Sequence, residues 1–577
     1  MASPRARAAK SNYSAAEAFC AALSRHGVTL AFGQSIPSAI YLAAPAFGIR
    51  QVAFRTENAG AAMADGYARI SGRVGVVTAQ NGPGATLLVP GLAEALKASV
   101  PVLALVQDVP RGFADKNAFQ ELDHALLFRG VAKWIGRVET PARIADSVDL
   151  ALTAATSGRP GPAVLLCPLD ETLEEEAPES PRSAALGHCP LDRVAPDPER
   201  VAEAARLLCR AKRPLVFAGG GVHTSGAQSA LAALQEKAHL PVATTTMGKG
   251  AVDERHPLSL GVIGSFMGTG SATKFMRPLV AEADVILLIG NRTNQTGTDS
   301  WRLLPSGARL IHCDIDGLEV GRNYEALRLV GDAKLTLEAL LWEMKKQGLA
   351  ERAKARPRIE AAIAAGRKKH EAEVAPLLGA SSTPVRPERV MAELEARLEA
   401  QDIVVADASY ASIWTINYLS SRRAGQRFLT PRGIAGLGWG LPLAIGARLA
   451  QDEGAVHCVA GDGGFAHVWS ELETAKRNGL KIILTVLNNG ILAYQKDWED
   501  VMLGAHTTGI DIAPVDHAAI ARACGLSAWR IEKPEDYGPA LDQALKREGP
   551  SLIEVIADPE AHPPLNFYEG KFPLPKR

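Results

Sequence analysis

The 577-residue chain predicts an α/β protein built as three consecutive doubly wound parallel-sheet domains. Three observations carry that expectation. Strand-length apolar runs alternate with Ala- and Gly-rich stretches of helical spacing, and each run ends in a Gly, Pro or polar turn. The runs are apolar throughout, as strands covered on both faces are. The alternation falls into three blocks, separated by an acidic, Pro-rich segment and then by a charged, Ala-rich one.

Composition narrows the function classes. Apolar content of 47% with 22% charged residues is ordinary for a globular protein. Lys plus Arg equals Asp plus Glu, 63 each, so no net field draws nucleic acid or an anionic membrane, and neither is expected as a partner. No apolar run approaches the ~18 residues of a membrane span. Seven cysteines without a CxxC pair argue against a zinc site or a disulfide framework, and point to a reducing, cytoplasmic setting. The basic start, "MASPRARAAKSNYS", reads as a tail rather than a targeting peptide.

The first block, residues 1–185, has "VGVVTAQ", "VPVLALVQD" and "GPAVLLCPLD" as strands. Within it "FRTENAGAAMADGYAR" (54–69) has helical spacing. Ala59, Ala62, Met63 and Gly66 fall at i, i+3, i+4 and i+7 and make a small-residue face for close packing. Glu57 stands in the first turn, where a carboxylate complements free N–H groups and the helix dipole. The segment "DETLEEEAPESPRSAALGHCPLDRVAPDPER" (170–200) reads as a linker.

The second block, 195–345, repeats the pattern with "PLVFAGGG", "ADVILLIGNR" and "ARLIHCDID". "GGGVHTSG" after a strand suggests a dinucleotide fingerprint, although Thr224 breaks the GxGxxG spacing. "KKQGLAERAKARPRIEAAIAAGRKKHEAEV" (345–374) is expected to be a solvated connecting helix.

The third block, 385–577, has "DIVVADAS", "AVHCVAGDGG" and "LKIILTVLNNG" as strands, and is a candidate distant copy of the first. Its "GDGG" turn is followed by a helix over Phe465 to Asn478 and a strand over Lys481 to Leu487. Two parallel strands would then present Asp462 and Asn489 on one edge, where open α/β sheets bind ligands. A carboxylate and an amide oxygen suit Mg²⁺ or Ca²⁺, with phosphate oxygens completing the shell. The N–H groups of Gly463 and Gly464, without Cβ atoms, can approach the phosphate itself.

"GDG", a helix and strand, then "NN" resembles the diphosphate-binding signature of thiamine diphosphate enzymes. "NGPGATLLVPGLAEALKASVPVLAL" (81–105), "NAFQELD" (117–123), "SGRPGPAVLLCPLD" (157–170), "GIAGLGWGLPLAIGA" (433–447) and Trp498 are similar to the acetohydroxyacid (acetolactate) synthase and pyruvate oxidase branch. The likeness spans nearly the whole chain. It implies a pyrimidine-binding domain (1–185), a central domain (195–345) with room for FAD or ADP, and a diphosphate-binding domain (385–577).

The resemblance also implies roles. Glu57 would hydrogen-bond the cofactor's N1′. Asp462, Asn489 and the carbonyl of Ile491 would hold Mg²⁺, with Gly463 and Gly464 at the diphosphate; "DASYASIW" (407–414) departs from the family's Gln/His-bearing loop there, with Ser409 and Tyr410 as its groups for binding phosphate oxygens. Leu437 would brace the bent cofactor, and main-chain groups of Ala435 and Leu437 would meet its aminopyrimidine. Gln120 would lie near the reacting carbonyl beside Phe119. Arg292 would meet an acidic second substrate or a nucleotide phosphate. Trp498 would wall the pocket.

Departures from the branch suggest a larger or more polar donor. "FGQSIPSAI" puts Ile36 and Pro37 where the branch has glycines, with Gln34 alongside. Tyr494 and Gln495 replace an apolar pair. The activity implied is a thiamine diphosphate- and Mg²⁺-dependent transferase or lyase that makes or breaks a C–C bond beside a carbonyl. Its donor would be a 2-oxo acid or acyloin, passing through an enamine. A 2-hydroxyacyl-CoA lyase or oxalyl-CoA decarboxylase type, with an acyl-CoA substrate, is the alternative. A nucleotide-dependent oxidoreductase and a non-catalytic homologue are the remaining readings. In this family sites form between subunits, so a homodimer is the minimum and a homotetramer is expected.

Overall fold

The computed structural model describes residues 13–569. Met1–Asn12 of the basic start, and the last residues of the C-terminal tail, lie outside that range. The chain forms two compact units. One comprises the described residues up to Asp192 together with Ile445–Gln451, and the other Arg193–Ala444 together with the described residues from Asp452.

The first unit holds a six-stranded parallel sheet: β1 (Leu30–Phe32), β2 (Arg50–Val52), β3 (Gly75–Ala79), β4 (Val102–Asp108), β5 (Trp134–Arg137) and β6 (Ala163–Pro168), in the order β2-β1-β3-β4-β6-β5. The central strands β3 and β6 are buried throughout, and β4 at every position but Gln107, which accounts for their apolar runs. Helix α1 (Glu57–Ser71) starts from Thr56, whose hydroxyl accepts the Ala59 N–H. Ala59 to Ala68 are all buried, so the helix is enclosed on every side rather than on one small-residue face. Small residues let neighbouring backbones reach it. A Cβ on Gly91, in helix α2 (Pro83–Ala98), would lie 2.4 Å from Ala61 Cβ, and one on Gly446 would lie 2.0 Å from Met63 O. The expected linker is held to this unit as far as His188: Ala177 bridges Tyr13, and His188 bridges Arg73.

The second unit holds two more six-stranded parallel sheets. The central one is β7 (Pro214–Ala218), β8 (Val242–Thr244), β9 (Ser259–Val262), β10 (Val285–Ile289), β11 (Arg309–Asp314) and β12 (Leu327–Val330), ordered β12-β11-β10-β7-β8-β9. The last is β13 (Ile403–Ala406), β14 (Phe428–Leu429), β15 (Val456–Gly461), β16 (Ile482–Asn488), β17 (Ser527–Ile531) and β18 (Ser551–Ile556), ordered β14-β13-β15-β16-β18-β17. Its strand order repeats that of the first sheet, the pattern that two copies of one ancestral unit would leave.

Helix α3 (Ala350–Leu378) connects the two sheets, but it is not simply solvated. Ile359, Ile363 and Val374 are buried, and Arg367 donates to the carbonyls of Glu254, His256 and Ser259. Its apolar positions are too few to register against its charged majority, so the packed stripe is visible only in the fold. No helix among the described residues is long and apolar enough to cross a membrane.

Candidate active site

In the last sheet the strand order reverses between β13 and β15, and both strands end on the same edge. Such a switch point leaves a crevice between the loops that follow. Asp407 follows β13, Asp462 follows β15 and Asn489 follows β16. Helix α4 (Tyr410–Tyr418) follows Asp407, and the buried Asp462 opens a short helix, α5 (Asp462–Ala466). Its two carboxylate oxygens accept the N–H groups of Gly463 (2.9 Å) and Gly490 (2.8 Å). The Gly463 N–H thus serves the carboxylate rather than a phosphate. Burial raises the Asp462 pKa against the pull of these backbone donors. The single helix expected over Phe465 to Asn478 is broken around His467–Ser470, where i→i+3 hydrogen bonds tighten the chain before Glu471–Arg477 resumes.

Asp407 is 1% exposed, and the sequence reading did not single it out. Its carboxylate accepts four backbone N–H groups: Ala408 (2.9 Å), Gly438 (2.9 Å), Trp439 (3.1 Å) and Gly440 (3.2 Å). It therefore anchors the loop that carries Ala435 and Leu437. A Cβ on Gly464 would lie 2.3 Å from Asp407 Oδ2, so only glycine lets the two loops meet. Ala435 (φ 62°) and Ser409 (φ 65°) both hold left-handed backbone conformations that a residue with a Cβ seldom adopts.

These loops line a cavity of about 740 Å³. Ser409, Tyr410, Ala435, Leu437, Asp462, Gly463, Gly464, Asn489 and Ile491 all reach it, as do Tyr494, Gln495 and Trp498 from helix α6 (Ala493–Leu503). The Tyr410 hydroxyl is directed elsewhere: it donates to Asp497 and pairs with the Tyr568 hydroxyl at 2.7 Å. That side chain is thus unsuited to the phosphate contact expected of it, and Ser409 with the start of α4 remains. Burial pushes Asp497 up to about 6.

In the first unit a second cluster forms at the ends of β1 and β3, the equivalent switch point. A Cβ on Gly84 would lie 3.2 Å from Glu57 Oε1 and 3.3 Å from Gln80 Cβ. Gln80 donates its amide N–H to Gln120 Oε1, which leaves the Gln120 amide nitrogen as a donor. Asn81 donates to the carbonyls of Phe119 and Gln120, each at 3.2 Å. Buried His124 fixes the turn from below: it accepts the Gly82 N–H on Nε2 (2.9 Å) and pairs through Nδ1 with Asp108 (3.0 Å), which also meets Arg137 (2.7 Å). Phe119 is 83% exposed, Gln34 donates to the Arg55 carbonyl (3.0 Å), and the Ile36 carbonyl accepts the Thr78 hydroxyl (3.0 Å).

Residues 13–127, 201–340 and 407–555 match the family descriptions "Thiamine pyrophosphate enzyme, N-terminal TPP binding domain", "Thiamine pyrophosphate enzyme, central domain" and "Thiamine pyrophosphate enzyme, C-terminal TPP binding domain". The chain is 32% identical over 523 residues to a protein of Methanococcus aeolicus named "Probable acetolactate synthase large subunit", covering 88% of this chain and 85% of that one. A protein of the same name from Methanocaldococcus jannaschii is 32% identical over 559 residues, covering 94% and 92%. "Acetolactate synthase, chloroplastic" of Arabidopsis thaliana is 30% identical over 525 residues, covering 89% and 76%. The chain belongs to the thiamine pyrophosphate enzyme family.

Within that family's three-domain frame, the central sheet has the strand order of a dinucleotide-binding fold, with its switch point between β7 and β10. Here the loops that follow β7 and β10 are tied to each other. The Gly219 N–H donates to Ile289 O (2.9 Å) and the Gly221 N–H to Gly290 O (3.0 Å). A Cβ on Gly219 would lie 2.2 Å from Gly290 O. The glycines of "GGGVHTSG" thus serve backbone packing, and the oxidoreductase reading loses its cradle. Arg292 follows Asn291, whose carbonyl pairs with His312 Nε2 at 2.8 Å; burial lowers His312 to about 4, so this ring stays neutral. From this domain it is Arg302, and not Arg292, that lines the cavity described above, with Gln295, Asp299 and Ser300. Asp407 shared with Asp462 a signal that sequence reading could have used, a polar residue directly after an apolar strand. Arg302 had none.

Proposed function

We propose that this thiamine pyrophosphate enzyme is an Mg²⁺-dependent carboligase of the acetolactate synthase kind. It would decarboxylate a 2-oxo acid and join the remaining acyl unit to the carbonyl of a second substrate. The observation that carries the reading is the convergence of Asp462, Asn489 and Ile491 on one edge of a cavity that also takes in Leu437 and Gly464.

That donor set fits the cofactor. The Asp462 carboxylate, its two oxygens oriented by the Gly463 and Gly490 N–H groups, is a hard oxygen donor of the kind Mg²⁺ takes. Asp462, the Asn489 amide oxygen and the Ile491 carbonyl would hold Mg²⁺, and Ser409 and Gly464 would face the diphosphate. Bound there, thiamine diphosphate supplies an electron sink for cleaving and forming bonds at a carbonyl carbon. Glu57 would share a proton with the cofactor's N1′. The Gln120 amide N–H, turned outward by Gln80, would steady negative charge growing on the substrate oxygen. Leu437, 38% exposed at the cavity, would brace the bent cofactor, and Trp498 would limit the size of the acceptor.

The acyl-CoA alternative has less support. The charged residues lining the cavity are Arg302 and Arg432 against Asp299, Asp407, Asp462 and Asp558, a poor match for a polyanion. With Gly219 and Gly221 committed to packing, our reading puts no FAD or ADP at the central switch point. It carries with it a homodimer at minimum, a homotetramer as the working assembly, and a cytoplasmic setting suited to seven unpaired cysteines.

The test is to titrate the protein with thiamine diphosphate and Mg²⁺ by circular dichroism, then supply a panel of 2-oxo acids, acyloins and 2-hydroxyacyl-CoAs. Mass spectrometry should show C–C bond formation from a 2-oxo acid. No cofactor-dependent signal, or turnover of the CoA substrates alone, would overturn the proposal.

A further inference from the structure

Helix α6 offers the cavity Tyr494, Gln495, Trp498 and Met502, spaced so that one helical face looks inward. Among them Gln495 has its orientation determined by a neighbour. Its Nε2 donates to Glu499 Oε1 at 2.8 Å, one turn along the same helix. Glu499 is 6% exposed, and its other oxygen accepts the Thr507 N–H at 2.7 Å. The Gln495 amide, first among several donors, holds the Glu499 carboxyl below its usual pKa. An ionised carboxylate only accepts hydrogen bonds, so the NH₂ end of the amide must face it. With its NH₂ end turned to Glu499, Gln495 keeps its amide oxygen as the acceptor that a ligand in the cavity can meet. Across the cavity Gln295 is turned alike, with Nε2 donating to Ser300 Oγ at 3.4 Å. The one central-domain cation there, Arg302, sits 3.8 Å from Asp299 and brings no surplus positive charge.

We infer that Gln495 is a specificity-determining residue for a hydroxylated substrate: its amide oxygen accepts a hydrogen bond from a hydroxyl on the carbon chain beyond the reacting carbonyl. This rests on the carboligase reading and narrows its substrate class to hydroxy-2-oxo acids or hydroxyaldehydes. An apolar pair in these positions would favour the unsubstituted chain. Here a bare methyl group would leave the acceptor without a partner, and a carboxylate would meet it with repulsion. Glu499 acts through Gln495 as a positioning residue.

The experiment compares kcat/KM of the cofactor-loaded enzyme for matched pairs: hydroxypyruvate against pyruvate as donor, and glycolaldehyde against acetaldehyde as acceptor. The hydroxylated member of at least one pair should be preferred by about tenfold or more. Gln495→Leu should lower that ratio by about tenfold. Glu499→Gln, which frees the amide to turn over, should lower the same ratio for the two matched substrates, a change that a general loss of stability would not produce. A preference for both unsubstituted partners, or a ratio unmoved in both variants, overturns the inference and leaves the carboligase reading standing. Failure of every 2-oxo acid to turn over would overturn that reading and this inference together.

Discussion

The carboxylate of Asp407 accepts the backbone N–H of Gly438 at 2.9 Å, and with it those of Trp439 and Gly440. One buried side chain thereby holds the loop on which Ala435 and Leu437 reach the cavity. In Asp407→Asn one carboxylate oxygen becomes an NH₂ group facing an N–H donor. The expected cost is about 1–3 kcal/mol of stability, measured by urea unfolding, with weakened thiamine diphosphate binding. A variant that binds the cofactor as the parent does would refute the anchoring role.

Asp497, raised to about 6 by burial beside Tyr410, makes stability depend on pH. Because the folded pKa exceeds the unfolded one, the stabilising contribution is complete below pH ~3.8 and is lost as pH rises through ~6. Asp497→Asn keeps an oxygen for the Tyr410 hydroxyl without the buried charge. Its unfolding free energy relative to the parent, measured by urea unfolding, should climb between pH 4 and 7, by up to about 3 kcal/mol at two pK units of 1.36 kcal/mol each. A difference that stays flat across that range would remove Asp497 as the cause.

Glu57 is the residue on which the catalytic proposal depends most. Glu57→Gln keeps the shape of the side chain and removes the exchangeable proton. Activity should fall about 10²–10⁴-fold, with circular dichroism still reporting a folded protein. Turnover within a few-fold of the parent would exclude the N1′ contact.

His124 is completely buried beneath the turn that brings Gln80 and Gln120 together. His124→Leu strands the Gly82 N–H and leaves Asp108 without its imidazole partner. We expect destabilisation of about 1–3 kcal/mol. Activity should fall further than stability alone explains, because Gln120 shifts with the turn. Thermal unfolding and kinetics on the same preparation separate the two effects.

Much of this was legible in the residues. Unbroken apolar runs meant strands covered on both faces, and three such blocks became three parallel sheets. The Asp462 and Asn489 pair could be read because any right-handed βαβ unit delivers successive strand ends to one edge, whatever surrounds it. The full enclosure of α1 was harder to see, since a run of Ala and Gly packs equally well on one side or on all. The dinucleotide-like "GGGVHTSG" misled for a related reason: glycine permits close approach without saying whether a ligand or another backbone arrives.

Local order along the chain, the strand–turn–helix rhythm and the polar residues that end each strand, follows from side-chain chemistry and spacing alone. Folding decided the partnerships across distance. Asp407 meets Gly438 across 31 positions, and Tyr410 meets Asp497 across 87 and Tyr568 across 158. Those contacts determine which hydroxyl is already engaged and which loop is held. They depend on how separate elements pack, and side-chain spacing along the chain carries no record of that.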